Sequence, residues 1–266
     1  MAGAAKRKPR KRRPTTAARD EVRRFAAIAH GWWDPEGDFK PLHRLNPVRL
    51  RFIRDCVVGH FRRDPNAEAP FKGLSVLDIG CGGGLIAEPM RRLGARVAGI
   101  DADEQAIQVA RLHAREAGLS IDYRHRLPED LAREKGRYDV VLNLEVVEHV
   151  ADVDAFLAAA AKLMKPKGAM VLSTINRTLK SLALAKIGAE YVLRWLPVGT
   201  HDWRKFVRPS ELAQGLERAS VEIREFKGLA YNPIADDWRL GRDLAVNYLA
   251  FATKTRRAGK RKPQRR

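Results

Sequence analysis

The segment VLDIGCGGG, Val76 to Gly84, constrains this chain more than any other: an apolar run carrying one acid, Asp78, empties into glycines at 80, 82, 83 and 84. It reads as a buried strand ending in a tight loop. Glycines suit such a loop because they lack Cβ, reach positive φ cheaply and let a ligand lie against the main chain. Twenty-one residues beyond Gly80, a second apolar run from Arg96 to Ile100 ends in Asp101. An acid at the tip of the second strand of a βαβ unit is placed to accept hydrogen bonds from ribose hydroxyls.

Two cofactor classes use this layout, and the glycine spacing separates them. A dinucleotide fingerprint, G-x-G-x-x-G, would put its third glycine at Leu85, whereas the chain offers G-x-G-x-G with Asp78 two residues before Gly80. That pattern is the first motif of S-adenosylmethionine methyltransferases. A dinucleotide must seat a pyrophosphate on a helix N-terminus. S-adenosylmethionine has no phosphate and carries a cationic sulfonium and an amino-acid end, for which an acid such as Asp78 makes sense. Another nucleotide-binding α/β domain, or a bare structural turn, is the competing reading.

With 45% apolar residues, a chain of 266 can bury a sizeable core, and one α/β domain with decorations is the economical organisation. No run of about 18 uncharged apolar residues exists, so no bilayer-spanning segment is expected. Cys56 and Cys81 suggest neither a disulfide framework nor a thiolate metal site, and a reducing compartment fits. The net charge of +19 is uneven: residues 1–14 carry seven basic residues and 254–266 carry eight, with no acid in either, leaving about +4 for the core. Both tails are expected to be disordered. They are suited to any polyanion, nucleic acid or anionic lipid, or serve only solubility. The N-terminus lacks a signal-peptide core and any amphipathic period, which disfavours a mitochondrial transit peptide.

Between the tails, strand-like and helix-like segments alternate. Helices are expected over Thr15–His30, Pro47–Arg62, Leu85–Leu93, Glu104–Ala117 and Val153–Met164, with another starting at Pro209 and capped by Ser210 or its neighbours. Strands are expected over Leu74–Ile79, Arg96–Asp101, Ile121–His125, Tyr138–Asn143, Ala169–Ile175 (after a turn at Lys165–Gly168), Val221–Gly228 and Ala245–Thr253. The expected fold is an α/β, doubly wound, mostly parallel seven-stranded sheet of Rossmann-like class I methyltransferase type, with its ligand at the carboxyl ends of the strands. The methyltransferase domain would cover residues 15–253, with N-terminal helices and a lid over 15–62 and an insert over 177–208.

Chemistry also concentrates at EVVEH, Glu145 to His149, after the fourth strand, where spacings of three and four bring Glu145, Glu148 and His149 to one side of a helical turn. Two carboxylates and an imidazole suit a hard divalent cation such as Mg2+. His149 as a base, or purely local packing, are the alternatives. Upstream, WWDPEGDFKPLHRLNPVRL, Trp32 to Leu50, with three prolines and paired tryptophans, reads as an irregular water-excluding lid. The competing reading makes these tryptophans a staple for an N-terminal helix.

These segments together, FAAIAHGWWDPEGDFKPLHRLNPVRLRFI at 25–53, VLDIGCGGG, EVVEHV at 145–150, STINRT at 173–178, GAEYVLRWLPVGTHDWRKFVRPSEL at 188–212 and YNP at 231–233, resemble the ubiquinone biosynthesis O-methyltransferase family over roughly residues 20–254. The resemblance implies methylation of catechol-type hydroxyls on polyprenylated rings, an early step and the step from 3-demethylubiquinol to ubiquinol. It implies donor binding at Arg49, Gly80, Asp101 and Leu144, beside Asp78 and Gly82 of the motif. In eukaryotic members a divalent metal is associated with the positions of Glu145, Glu148 and His149. Glu145 and His149 are thus the candidate catalytic residues. It also implies a cytoplasmic protein peripheral on the inner membrane (the mitochondrial matrix in a eukaryote) and a ubiquinone biosynthetic complex as candidate partner. The long basic tails depart from the family pattern.

A prenylated substrate lives in the bilayer, and the insert offers a route to it. From Leu182 to Leu196 the charges Lys186, Glu190 and Arg194 fall on one narrow stripe of an otherwise apolar helix, which suits an anionic membrane interface, core packing or a dimer contact. Two rivals from other classes remain. A nucleic-acid methyltransferase would use the tails but is disfavoured by a nearly neutral core; a non-catalytic lipid-binding scaffold would bind no donor.

Overall fold

The structure, a computed structural model, describes residues 31–183, 202–232, 235 and 237–255. The expected helix at Thr15–His30, both basic tails beyond Thr255 and before Gly31, and the insert helix from residue 184 onward lie outside the described residues.

A helix, α1 (Lys40–His60), precedes β1 (Ser75–Ile79), α2 (Ala87–Arg92), β2 (Arg96–Asp101), α3 (Glu104–Glu116), β3 (Asp122–His125), α4 (Pro128–Leu131) and β4 (Tyr138–Leu144). A 3-10 turn (Val147–His149), α5 (Val153–Leu163), β5 (Met164–Ile175), α6 (Leu179–Ser181), a second 3-10 turn (Trp203–Lys205), α7 (Pro209–Arg218), β6 (Val221–Asn232), β7 (Asp237–Gly241) and β8 (Asn247–Lys254) complete the order. The sheet runs β3-β2-β1-β4-β5-β8-β6-β7. Its first five strands are parallel, and β8, β6 and β7 join by antiparallel pairing. The strand order reverses between β1 and β4, the crevice where such sheets bind ligands.

Apolar residues on alternate strand positions feed two cores. Val76, Val97, Val140, Leu142 and Val171 face α1, α2 and α3, while Leu77, Ile79, Val141, Met170 and Leu172 face α4, α5 and α7. Burial on both faces is what parallel strands require.

Four expectations need correction. The sheet has eight strands, because DWRLG at 237–241 pairs with the upper half of β6. The first described helix starts at Lys40, not Pro47, and carries Pro47 inside it. Burial of Leu45, Val48, Phe52, Ile53 and Val57 along one face outweighs the lost backbone hydrogen bond, so only residues 31–39 remain as irregular lid. The expected turn at Lys165–Gly168 is an interruption inside β5, with Lys167 at φ 62, between the pairs Tyr138–Met164 and Val140–Ala169. Finally, Ser210 does not cap α7; Arg208 is the N-cap, and Glu211 accepts its backbone N–H at 3.0 Å.

The antiparallel end has one tight crossing. β6 lies between β7 and β8, so residues 242–246 must pass over it, and they do so where Gly228 leaves room for the Asp243 backbone. The crossing is fastened to the end of β5: Asn176 donates its backbone N–H to Val246 O (2.7 Å) and its side-chain amide to Leu244 O (2.9 Å), and the Thr178 hydroxyl donates to Ala245 O (2.6 Å).

Candidate functional site

The loop after β1 is held by the end of β2. Gly80 and Cys81 both donate backbone N–H groups to Ile100 O, at 2.8 and 3.1 Å, and Gly82 donates to Asp101 Oδ2 at 2.8 Å. Asp101 Oδ1 accepts the Asp103 N–H at 2.9 Å, and Asp103 in turn caps α3 through the Gln105 N–H. Asp101 thus anchors two backbones, while the spare lone pairs of its oxygens still suit a ribose. Gly82, at φ 50, has no alternative residue type: a Cβ there would stand 2.5 Å from Trp32 Cζ2.

Beneath the loop lies Asp78, 3% exposed, whose Oδ2 has no donor among the described residues. Burial, reinforced by Asp101, pushes its pKa up to about 8. The folded chain therefore keeps a proton that the unfolded chain, with a value near 3.8, releases. Stability is expected to fall as pH rises from about 4 to about 8, by up to about 5 kcal/mol. Asp78→Asn should flatten this slope in thermal melts across that window; an unchanged slope would refute the assignment.

Residues 31–39, the part of the expected lid that is irregular, pack on the loop through both tryptophans. The Trp32 ring lies against Gly82 and Gly83 and stacks on Phe39 (centroids 3.8 Å apart), and its carbonyl meets a His43 ring nitrogen at 2.9 Å. Trp33 donates its indole N–H to Gly83 O at 2.9 Å and stacks on His113 of α3 at 3.4 Å. His113 is itself fixed by Glu88, a buried carboxylate of α2, at 2.7 Å. The lid is therefore tied both to the loop and to the helix pair behind it.

At the neighbouring strand end, Leu144 pairs with Ser173 and packs half-buried on the α1 side. Glu145 follows at φ 54, its carboxylate accepting Arg49 Nη2 at 2.5 Å and the Ser173 hydroxyl at 2.7 Å. Glu148 is 3% exposed and accepts the Thr174 hydroxyl at 2.8 Å. His149 is half-buried on the same 3-10 turn, its backbone N–H bonded to Val146 O. Arg49 is buried and reaches Asn46 with Nη1 at 3.4 Å; its Nε has no partner among the described residues.

Arg49, Asp78, Gly80, Gly82, Asp101, Leu144 and Glu145 thus gather at the carboxyl ends of β1, β2 and β4. Glu145 and Glu148 of the expected metal trio lie together, but among the described residues no group of three or more His, Cys, Asp or Glu could hold a metal ion. Glu145 already faces a guanidinium, and burial with Glu145 nearby keeps Glu148 well above the usual carboxylate range. The donor set as placed does not fit a divalent cation. Sequence reading gave no role to Ser173, Thr174, His113 and Glu88. A Ser-Thr pair inside the apolar strand VLSTI was the available signal for the first two.

A model described as a methyltransferase domain matches residues 51–225, the class that the sheet order and the glycine loop define. Over 242 residues the chain is 56% identical to the ubiquinone biosynthesis O-methyltransferase of Chelativorans sp. (strain BNC1), covering 91% of this chain and 96% of that protein. It is 55% identical over 246 residues to the protein of that name from Mesorhizobium japonicum, covering 92% and 98%. The chain belongs to the ubiquinone biosynthesis O-methyltransferase family. Among solved structures, magnesium protoporphyrin IX methyltransferase from Synechocystis PCC 6803 with bound SAH shares the fold at a TM-score of 0.60 and 21% identity, over 89% of this chain and 94% of that one. The N-methyltransferase NodS of Bradyrhizobium japonicum WM9, in complex with S-adenosyl-L-homocysteine, does so at 0.59 and 14%, over 89% and 99%.

Proposed function

We propose that this protein is an S-adenosylmethionine-dependent O-methyltransferase acting on catechol-type hydroxyls of polyprenylated ring intermediates in ubiquinone biosynthesis. The observation that carries the reading is the glycine loop at the switch point with two acids, Asp78 and Asp101, buried around it. Carboxyls in such a floor give up their protons more readily beside a cation than beside a pyrophosphate, which favours a cationic, phosphate-free nucleoside.

In this reading Gly80 to Gly84 form the floor, Asp101 accepts from the ribose, Leu144 lines the nucleoside pocket, and the unpartnered Arg49 Nε–H meets the carboxylate of the amino-acid end. When bound, the donor supplies a methyl group on a positively charged sulfur. Asp78 lies beneath the loop, and losing its proton as the cation arrives would leave it as the balancing charge. A phenol hydroxyl costs about 4 kcal/mol to ionise at pH 7. His149 lowers that cost as the base that takes its proton. With the donor held by Arg49 and Asp101, the phenolate oxygen would take its methyl group, and the sulfur–methyl electron pair would remain on a neutral thioether. Because opposite charges cancel along this path, exclusion of water favours it, and the Trp32 and Trp33 rings supply that cover.

The substrate's prenyl tail calls for a membrane surface. No described helix is long and apolar enough to cross a membrane. The insert over 177–208 is where the sequence leads one to expect an apolar helix, and Leu179 near its start is 79% exposed beside Lys180. An anionic membrane surface and a peripheral position on the inner membrane follow from this reading, and partners in a biosynthetic complex would meet the enzyme there. The test is mass spectrometry of demethylated quinol incubated with enzyme and S-adenosylmethionine. A gain of about 14 daltons, one hydrogen replaced by methyl, is the expected product under the in-line mechanism; an unchanged quinol refutes the function.

A further inference from the structure

Glu145 is held in an uncommon place by unusually many partners. A non-glycine residue at φ 54 is strained, and such residues persist only where their surroundings over-determine them. Here the backbone N–H of Glu145 donates to Ser173 O at 2.9 Å, while Oε1 receives both Arg49 Nη2 at 2.5 Å and the Ser173 hydroxyl at 2.7 Å. The left-handed turn thus swings the carboxylate back across the end of β5 and onto α1.

Glu148 completes the arrangement from below. Its Oε2 accepts the Thr174 hydroxyl at 2.8 Å, and its buried Oε1 receives no donor from any described residue. The Arg49 guanidinium, 2% exposed, sits against Glu145 and offsets its charge. A divalent cation would have to displace that guanidinium, in a place where no metal-holding group exists among the described residues.

We propose that Glu145 is a positioning residue: it fixes the Arg49 guanidinium so that the remaining N–H groups meet the carboxylate of the methyl donor, and the Glu145–Glu148 pair serves this purpose instead of ligating a metal. The inference rests on the donor-binding reading above. Arg49 is a long side chain with many rotamers, and holding it in advance spares the cost of ordering it when the donor arrives.

Calorimetry with S-adenosylmethionine and steady-state kinetics test this on the full chain. Glu145→Gln should raise the donor's Kd and KM about tenfold while kcat falls only a few-fold. In an Arg49→Lys background the same change should add little, because both act through one contact. Ser173→Ala, which spares the ion pair, should weaken donor binding about threefold and guards against a Glu145 variant that fails to fold. Wild-type activity should survive EDTA undiminished. Unchanged donor affinity in Glu145→Gln with kcat abolished, or EDTA inactivation reversed by Mg2+, would overturn the positioning role. No donor binding by the wild type would overturn the function itself, a distinguishable result.

Discussion

Gly82→Ala is expected to abolish measurable donor binding and to lower kcat/KM by about a hundredfold or more. The residue sits at φ 50, where any side chain is strained, and a new Cβ would meet the Trp32 ring at Cζ2, 2.5 Å away. The clash relaxes only by moving the indole off Phe39 or by pulling the loop from Asp101, and either opens the crevice. Calorimetry with S-adenosylmethionine, paired with a thermal melt, checks this. The double variant with Trp32→Ala should recover part of the affinity, because it removes the clash and leaves only the backbone strain. Full donor affinity in Gly82→Ala would show that the loop does not form the floor.

The largest effect on stability is expected at Gly228→Ala. The Asp243 backbone crosses directly over this glycine, and an added Cβ would lie 2.6 Å from the Asp243 carbonyl carbon. Backbone, unlike a side-chain tip, cannot rotate aside. The connection from β7 to β8 has only residues 242–246 in which to absorb a shift, and it is fastened to Asn176 and Thr178. A cost of about 3 kcal/mol or more follows, which for a domain of this size lowers Tm by roughly 10 °C. The displacement would be passed to the residues at which the insert begins, so turnover of a prenylated substrate should suffer more than turnover of a short-chain analogue. A melt within about 2 °C of wild type would refute the crossing as drawn.

The parallel half of this fold was legible because its signals are local. Apolar runs ending in Gly80 and Asp101, and periodic helices between them, define βαβ units without reference to anything distant. The antiparallel half was less legible. DWRLG has none of the β-branched residues that most often mark a strand; it becomes one because Trp238 packs against the α1 core and β6 offers a free edge. Pro47 looked like a helix boundary, and burial of the surrounding face overrode it. At the site, the loop, Asp101 and Glu145 were readable as motifs. The contacts that define their surroundings were not: Trp33 meets His113, and Arg49 meets Glu145, across separations no local pattern encodes. The metal reading of Glu145, Glu148 and His149 came from spacing and from the family resemblance, neither of which shows that a guanidinium reaches the first acid.

Cys81, inside the glycine loop, gives the arrangement a further meaning. A sulfonium is an alkylating agent, and this thiol is the soft nucleophile built into the floor on which it would rest. Burial, together with the nearby Asp101 and Asp78, pushes the Cys81 pKa well above its ordinary value, so the sulfur stays protonated. Thiolate, not thiol, is the reactive form. Burial first, and the two acids second, would therefore keep this sulfur from being alkylated by a sulfonium bound above it.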